Sequence, residues 1–168
     1  MKLCVTYCSG QKSDGTLPPD KLYKSRRIDQ FAEYCKANSL KWAIISAKYG
    51  LFFPEERRER YDATLKSAKG YRLGIKVIVN GEDGEEFPKD KSDAWIDKLI
   101  ETIRTQVTRH SVDEIVFYTW SLKQPKCYLV LLHFIVDTCD VAHSWSQLLE
   151  CVERHGRIHV TTQLNFAP

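Results

Sequence analysis

Cys8 and Lys12 are the first residues of this 168-residue chain whose types and spacing could do chemistry. They come at and just after the end of a short apolar run, LCVTYC, at residues 3–8. A nearby ammonium group favours the nucleophilic thiolate form of a cysteine, because opposite charges stabilise each other. A cysteine at a strand end can equally pack as a small buried hydrophobe, and spacing alone leaves both interpretations open.

A second polar segment follows the apolar run WAIISA at residues 42–47. Lys48 and Tyr49 could donate hydrogen bonds to an anionic group, and Gly50 would let a backbone approach closely. A Tyr-Gly pair can also simply turn the chain. Asp62, which lies further along in a segment with a run of charges, could assist proton transfer or cap a helix.

These two polar segments require a scaffold that brings them together. The runs at 3–8 and 42–47 are typical of buried parallel strands, and residues 25–38 place apolar side chains at helical spacing between them. Strand, helix and strand in this order imply a right-handed crossover within one sheet. Ligands bind beyond the carboxyl ends of such strands, so we expect both segments to line a common concavity.

The later part of the chain continues the alternation of strands and helices. The pattern predicts helices at 93–110, 126–141 and 144–155 and strands at 114–120 and 157–164. Ser92 is expected to cap the first of these helices and Gly156 to end the last. Residues 71–88 are expected to form an excursion or an edge hairpin. The predicted fold is a three-layer α/β sandwich with a mostly parallel sheet of 4–5 strands, in one domain over residues 1–168.

Composition and cysteine usage limit the class of protein. Hydrophobic residues make up 43% of the chain and charged residues 28%, as in folded globular proteins. The first residues lack the features of a secretion signal, and the apolar stretch at 128–136 is shorter than the roughly 20 residues of a membrane span. We therefore expect a cytoplasmic protein whose six cysteines are reduced. Cys4 and Cys8 have no second pair at zinc-ribbon spacing, so no metal or cofactor is expected.

The charge distribution suggests a partner. Residues 21–60 contain ten Lys or Arg and five Asp or Glu, a local excess of +5 against +3 for the whole chain. A basic surface beside aromatic residues suits phosphate backbones and stacked bases. Solvated charge on a helix explains the excess nearly as well.

Motifs in roughly the first 65 residues resemble the YaaA-like proteins of bacteria and their phages. The matching residues are Cys8-Ser9-x-x-Lys12, Leu22-Tyr23-x-Ser25, Trp42-x-Ile44-Ile45-Ser46-Ala47-Lys48-Tyr49-Gly50-Leu51, Pro54 and Tyr61-Asp62-x-Thr64-Leu65. Peroxide-stress members of that family are associated with DNA binding. A weaker similarity, in the spacing Cys-x3-Lys, is to the lysine-transferring domain of archaeosine synthase, where Pro-Tyr stands in place of Ser13-Asp14.

The residue types at the strand ends and the resemblance together suggest a set of site residues. Cys8, Lys12 and Asp62 would be catalytic, and substrate would contact Ser9, Tyr23, Ser25, Ser46, Lys48, Tyr49, Gly50, Tyr61 and Thr64. The leading hypothesis is an enzyme, such as a transferase or lyase, that modifies a nucleobase or modified nucleotide, with DNA favoured over RNA. The alternatives are a non-catalytic DNA-binding stress protein and an enzyme with a small-molecule substrate.

Overall fold

The computed structural model describes residues 1–81, 84, 87–123, 126–137 and 145–168. The strands are β1 (Lys2–Tyr7), β2 (Trp42–Ser46), β3 (Gly50–Phe52), β4 (Ala63–Ser67), β5 (Ile75–Val79), β6 (Glu114–Tyr118) and β7 (Ile158–Thr161). The helices are α1 (Pro19–Leu22), α2 (Arg26–Ala37), α3 (Lys89–Arg109), α4 (Lys126–Leu132), which continues as a π-helical turn (His133–Asp137), and α5 (Trp145–His155). No helix among the described residues is long and apolar enough to cross a bilayer.

The central sheet has five strands in the order β3-β2-β1-β6-β7. β1 pairs in parallel with β2 and with β6, β6 pairs in parallel with β7, and β3 runs antiparallel at the edge. This confirms the predicted three-layer α/β sandwich with a mostly parallel sheet. The chain first adds β2 and β3 on one side of β1 and later adds β6 and β7 on the other side. The strand order therefore reverses at β1. Such a reversal is where open α/β sheets form their ligand-binding crevice.

The segment after β2 forms a strand that the sequence did not reveal. The chain turns back at residues 47–49, and β3 then pairs with β2, Ser46 opposite Gly50. Gly50 has φ +70°, and a Cβ there would lie 2.5 Å from Oε1 of Gln106 on α3. The Gln106 side chain accepts from Leu51 N at 2.7 Å and donates to Leu51 O at 2.8 Å. Gly50 therefore lets α3 seal the edge of the sheet.

The middle of the chain forms a separate two-stranded sheet. β5 pairs antiparallel with β4, Leu65 opposite Val77, so the expected hairpin within residues 71–88 is replaced by pairing with the preceding segment. The possible helix after Asp62 is wrong for the same reason, because residues 63–67 are extended. Residues 82–83 and 85–86 of the predicted excursion lie outside the described residues.

Ser92 does not cap α3, contrary to prediction. The helix begins at Lys89, directly after Pro88, whose fixed φ of −67° suits the position before a first turn. Ser92 is instead buried one turn inside the helix, where its Oγ accepts a hydrogen bond from Val77 N at 2.9 Å. The hydroxyl therefore joins α3 to β5.

The C-terminal elements largely follow the prediction. α5 ends at His155 and is followed by Gly156 with φ +67°, a helix stop as expected. Residues 138–141 and 144 of the predicted helices lie outside the described residues.

Among the cysteines that the structure describes, one differs from the expectation. Free thiols are found at Cys4, Cys8, Cys35 and Cys127, all of them buried. Cys151, however, is disulfide-bonded, so the expectation of reduced thiols is wrong there. Disulfide formation depends on the distance between two Cα atoms in the fold, which spacing along the chain does not give.

Candidate functional site

The candidate site lies where β1 and β2 end. Cys8 follows the last residue of β1, and its backbone N–H donates to Ile45 O at 3.0 Å, so it stays fixed against β2. The next segment is held by an antiparallel bridge between Lys12 and Tyr23, with Ser13 N donating to Leu22 O at 2.7 Å. These bonds bring Lys12 back over the end of the sheet.

The Cys8 thiol is buried beside a tyrosine hydroxyl. Its Sγ lies 3.0 Å from the Oη of Tyr128, which comes from α4, and only 7% of the Cys8 surface is exposed. The Tyr128 ring in turn stacks on Tyr7 with 6.0 Å between centroids. Burial raises the pKa of Tyr128 well above its usual value, so its hydroxyl stays protonated and can donate to sulfur.

Lys12 is a buried cation with unusual partners. Its Nζ lies 4.3 Å from the centroid of the Tyr61 ring and 3.5 Å from Gly10 O, and the residue is 6% exposed. No carboxylate within the described ranges forms an ion pair with it. Burial lowers the pKa of the Lys12 ammonium, whereas the neighbouring Cys8 and Asp62 raise it. The amine is therefore easier to deprotonate than an ordinary lysine.

Three hydroxyl groups form a chain beside Lys12. Ser46 Oγ donates to Tyr61 Oη at 2.8 Å, and Tyr61 Oη shares a second 2.8 Å hydrogen bond with Tyr23 Oη. Burial raises the pKa of both phenols, which keeps them neutral donors. Ser46 Oγ also accepts from the backbone N–H groups of Lys48 at 3.1 Å and Tyr49 at 3.0 Å. The hydroxyl chain thus connects the β2–β3 turn to the lysine.

Arg27 is a buried residue that hydrogen-bonds to the end of β1, a role that the sequence did not predict. It is 5% exposed and lies 3.4 Å from the centroid of the Tyr7 ring. Its guanidinium donates to Thr6 Oγ1, to Tyr7 O at 2.8 Å and to Cys8 O at 3.4 Å. Its position four residues before Phe31 places Arg27 on the apolar face of α2, and this spacing could have identified it as a buried residue.

The structure brings together five of the predicted site residues. These are Cys8, Lys12, Tyr23, Ser46 and Tyr61. The contacts above join the last four into one buried cluster, and Cys8 lies near enough to raise the pKa of Lys12. Asp62 is exposed and acts on this cluster through its charge on Lys12. Tyr49 borders it, with its ring edge-to-face against Tyr61 at 5.2 Å.

Other predicted contact residues lie elsewhere. Lys48 is exposed and its side chain lines a groove along α3, while Gly50 packs under that helix. Ser25 caps α2, its Oγ accepting from Ile28 N at 3.4 Å. Ser9 bonds within its own turn to Gln11, and Thr64 pairs with Ile78 in the smaller sheet. No group of three His, Cys, Asp or Glu side chains in the described part of the chain could hold a metal ion.

Charges near Lys12 should tune its proton affinity in opposite directions. Asp62 raises the pKa of Lys12 and Arg60 lowers it. We therefore expect Asp62→Asn to lower this pKa further and Arg60→Gln to raise it, as followed by NMR of the labelled lysine side chain across a pH titration. Arg60 pairs with exposed Asp14, so its replacement should barely change stability. Shifts of the same sign in both variants would contradict this electrostatic account.

One comparison with known proteins covers the site. Residues 3–80 match the model of a family of unknown function, DUF6884. The matched segment runs from β1 to β5 and contains Cys8, Lys12 and Tyr61, whereas Tyr128 lies outside it. No curated protein and no solved structure matches the chain.

Proposed function

We propose that this chain is an enzyme acting on a nucleobase or modified nucleotide, with Cys8 as nucleophile and Lys12 as its proton acceptor. The observation that carries the proposal is the burial of Lys12 without an ion-pair partner among the described residues. Burying an ammonium group without a counter-charge destabilises a protein, and lysines with a lowered pKa cluster at functional sites. Its neighbours are a thiol and three hydroxyl groups, all able to exchange protons or hydrogen bonds.

The geometry suggests how the residues would share the reaction. Neutral Lys12 takes the proton of the Cys8 thiol, and the thiolate adds to an electrophilic carbon of the base. One S–C bond forms while one π bond breaks, and the π bond re-forms as a leaving group on that carbon departs with the proton held by Lys12. Water then displaces the sulfur at the same carbon while Lys12 takes its proton, so the S–C bond breaks and the altered base is released. Tyr128 donates a hydrogen bond to the sulfur, and the Tyr61 ring contacts the Lys12 amine.

A nucleobase substrate is supported by the surroundings and by the resemblance described above. Tyr49, which borders the cluster, is only half-buried and has an aromatic ring of the kind on which bases stack. The Cys-x3-Lys spacing shared with the lysine-transferring domain of archaeosine synthase points to base modification. The resemblance to the YaaA-like proteins favours DNA as the nucleic acid.

Nucleoside mass spectrometry tests this function directly. Cells producing the chain should contain a nucleoside of altered mass that is missing from cells producing Lys12→Arg. Arginine keeps the positive charge but cannot act as a proton acceptor near neutral pH, so this variant separates proton transfer from charge. Equal melting temperatures of the two proteins would show that folding is intact. Identical nucleosides in both cultures would refute the proposal.

A further inference from the structure

A groove runs between α3 and the β2–β3 turn, next to the buried cluster. Its volume is about 600 Å³. Its lining includes three aromatic side chains, Tyr49, Phe87 and Trp95, and three lysines, Lys48, Lys91 and Lys98. The apolar rings lie among the cationic groups, which is the combination that binds a base together with its phosphate.

The aromatic residues are held in place by contacts within the protein. The Trp95 indole N–H donates to Ala47 O at 2.8 Å, and Phe87 meets the indole edge-to-face with 5.9 Å between centroids. Tyr49 is fixed by its hydroxyl, which donates to Glu59 O at 3.0 Å. These side chains therefore lose little conformational freedom when a ligand stacks on them, which favours binding.

The charge of the groove selects an anionic ligand. In the described part of its lining there are three lysines and no acidic side chain. A different cavity, beside α2, has four basic residues. Three acidic residues, Asp20, Asp29 and Glu33, line it as well, so its positive and negative charges nearly balance. The excess of positive charge is therefore a property of the α3 groove and not of every cavity in this basic chain.

The groove continues along α3 into a second cavity of about 470 Å³. The two cavities share Lys48, Tyr49 and Lys98. The second adds Arg58 and Arg109 as well as the acidic Glu56 and Glu101, so it keeps a smaller positive excess. From Lys91 to Arg109 the helix rises about 27 Å at about 1.5 Å per residue. A track of this length suits several linked nucleotides better than one compact nucleotide.

We propose that this track binds single-stranded nucleic acid, with bases stacked on Trp95 and Tyr49 and phosphates bound by Lys48, Lys91 and Lys98. A duplex would keep its bases stacked on each other and away from these rings. The contact between Tyr49 and Tyr61 places the track beside the Cys8 cluster. The inference names the partner of that cluster and rests on the proposed function for its link to catalysis.

Binding of a fluorescein-labelled 12-nucleotide thymidine strand, followed by anisotropy, tests the proposal. Trp95→Leu should weaken binding about tenfold or more, because one stacked base contributes about 1–3 kcal/mol. Trp95→Phe loses the N–H donor but keeps an aromatic ring on which a base can stack, so this variant should retain most of the affinity. The double variant Lys91→Gln and Lys98→Gln should also weaken binding, and should reduce the slope of log affinity against log salt by about 1.4.

Matched controls assign the effect to the groove. Lys21→Gln with Lys24→Gln removes the same charge from the mixed cavity beside α2 and should leave the affinity nearly unchanged. The same thymidine strand paired with its complement should bind at least about tenfold more weakly, whereas a uridine strand shows whether DNA or RNA is preferred. Equal loss in both lysine pairs, or equal affinity for single strand and duplex, would overturn the proposal.

The Cys8→Ala variant separates this inference from the proposed function. It should bind the strand as well as the unaltered protein does, because Cys8 does not line the track. Normal binding by the unaltered protein, with no altered nucleoside in the cells that produce it, would reject the chemistry and keep the track. Unaltered binding by Trp95→Leu and by the Lys91 and Lys98 variant would reject the track and keep the chemistry.

Discussion

Replacing Cys8 with alanine is expected to lower the rate of product formation by about 10³-fold or more. Without the sulfur no covalent bond to the base can form, and the Lys12 amine has no thiol to deprotonate. The measurement is the initial rate at which the purified protein forms the altered nucleoside, identified first in cells by mass spectrometry.

Cys127→Ala is the matched control for Cys8→Ala. Both thiols are 7% exposed and each contacts one hydroxyl, Tyr128 Oη at 3.0 Å for Cys8 and Ser67 Oγ at 3.4 Å for Cys127. Both replacements should therefore lower the free energy of unfolding by about 1–2 kcal/mol, as measured in urea. Only Cys8→Ala should lose activity. An active Cys8→Ala protein would mean that this thiol only packs.

Replacing Arg27 with methionine is expected to lower the free energy of unfolding by about 3 kcal/mol. The alkyl part of the side chain is kept, but the Tyr7 and Cys8 carbonyl groups and the Thr6 hydroxyl lose a charged donor in a buried place. Urea unfolding at neutral pH measures the change. The loss of stability is expected to be large because the Thr6, Tyr7 and Cys8 acceptors are buried, so water cannot replace the lost hydrogen bonds.

Arg26→Met provides the control for Arg27→Met. Arg26 precedes Arg27 at the start of α2 but is exposed, so its replacement should change stability by no more than about 0.5 kcal/mol. Arg27 does not touch the proposed reacting atoms, and we regard it as a positioning residue for Cys8. Equal stability of the two variants would show that the buried network contributes little.

The sequence predicted the first half of the fold because its elements leave clear patterns. Buried strands leave continuous apolar runs, and α2 leaves an apolar face that begins after its capping residue, Ser25. Parallel strands end at the same edge of a sheet, so the convergence of Cys8, Lys12 and Ser46 followed from those patterns, whereas Tyr61 was expected at the site only from the family resemblance.

The rest of the site could not be predicted because it depends on packing between distant elements. Tyr128 lies in an apolar stretch and has the pattern of a core residue; only the placement of α4 brings its hydroxyl to Cys8. Lys48 was expected at the cluster, but the unforeseen return of the chain into β3 leaves its side chain on the surface beside α3. Ser92 met the rule for a helix cap, yet Pro88 begins the helix earlier.

β1 lies between β2 and β6, but the family match includes only one of these two neighbours. A polypeptide restricted to residues 3–80 would have bare amide and carbonyl groups along one whole side of its middle strand. Such an edge invites pairing with any extended chain nearby. A polypeptide built from the matched segment alone would therefore need a strand from elsewhere to complete the sheet, and that added part would also have to supply what Tyr128 provides here.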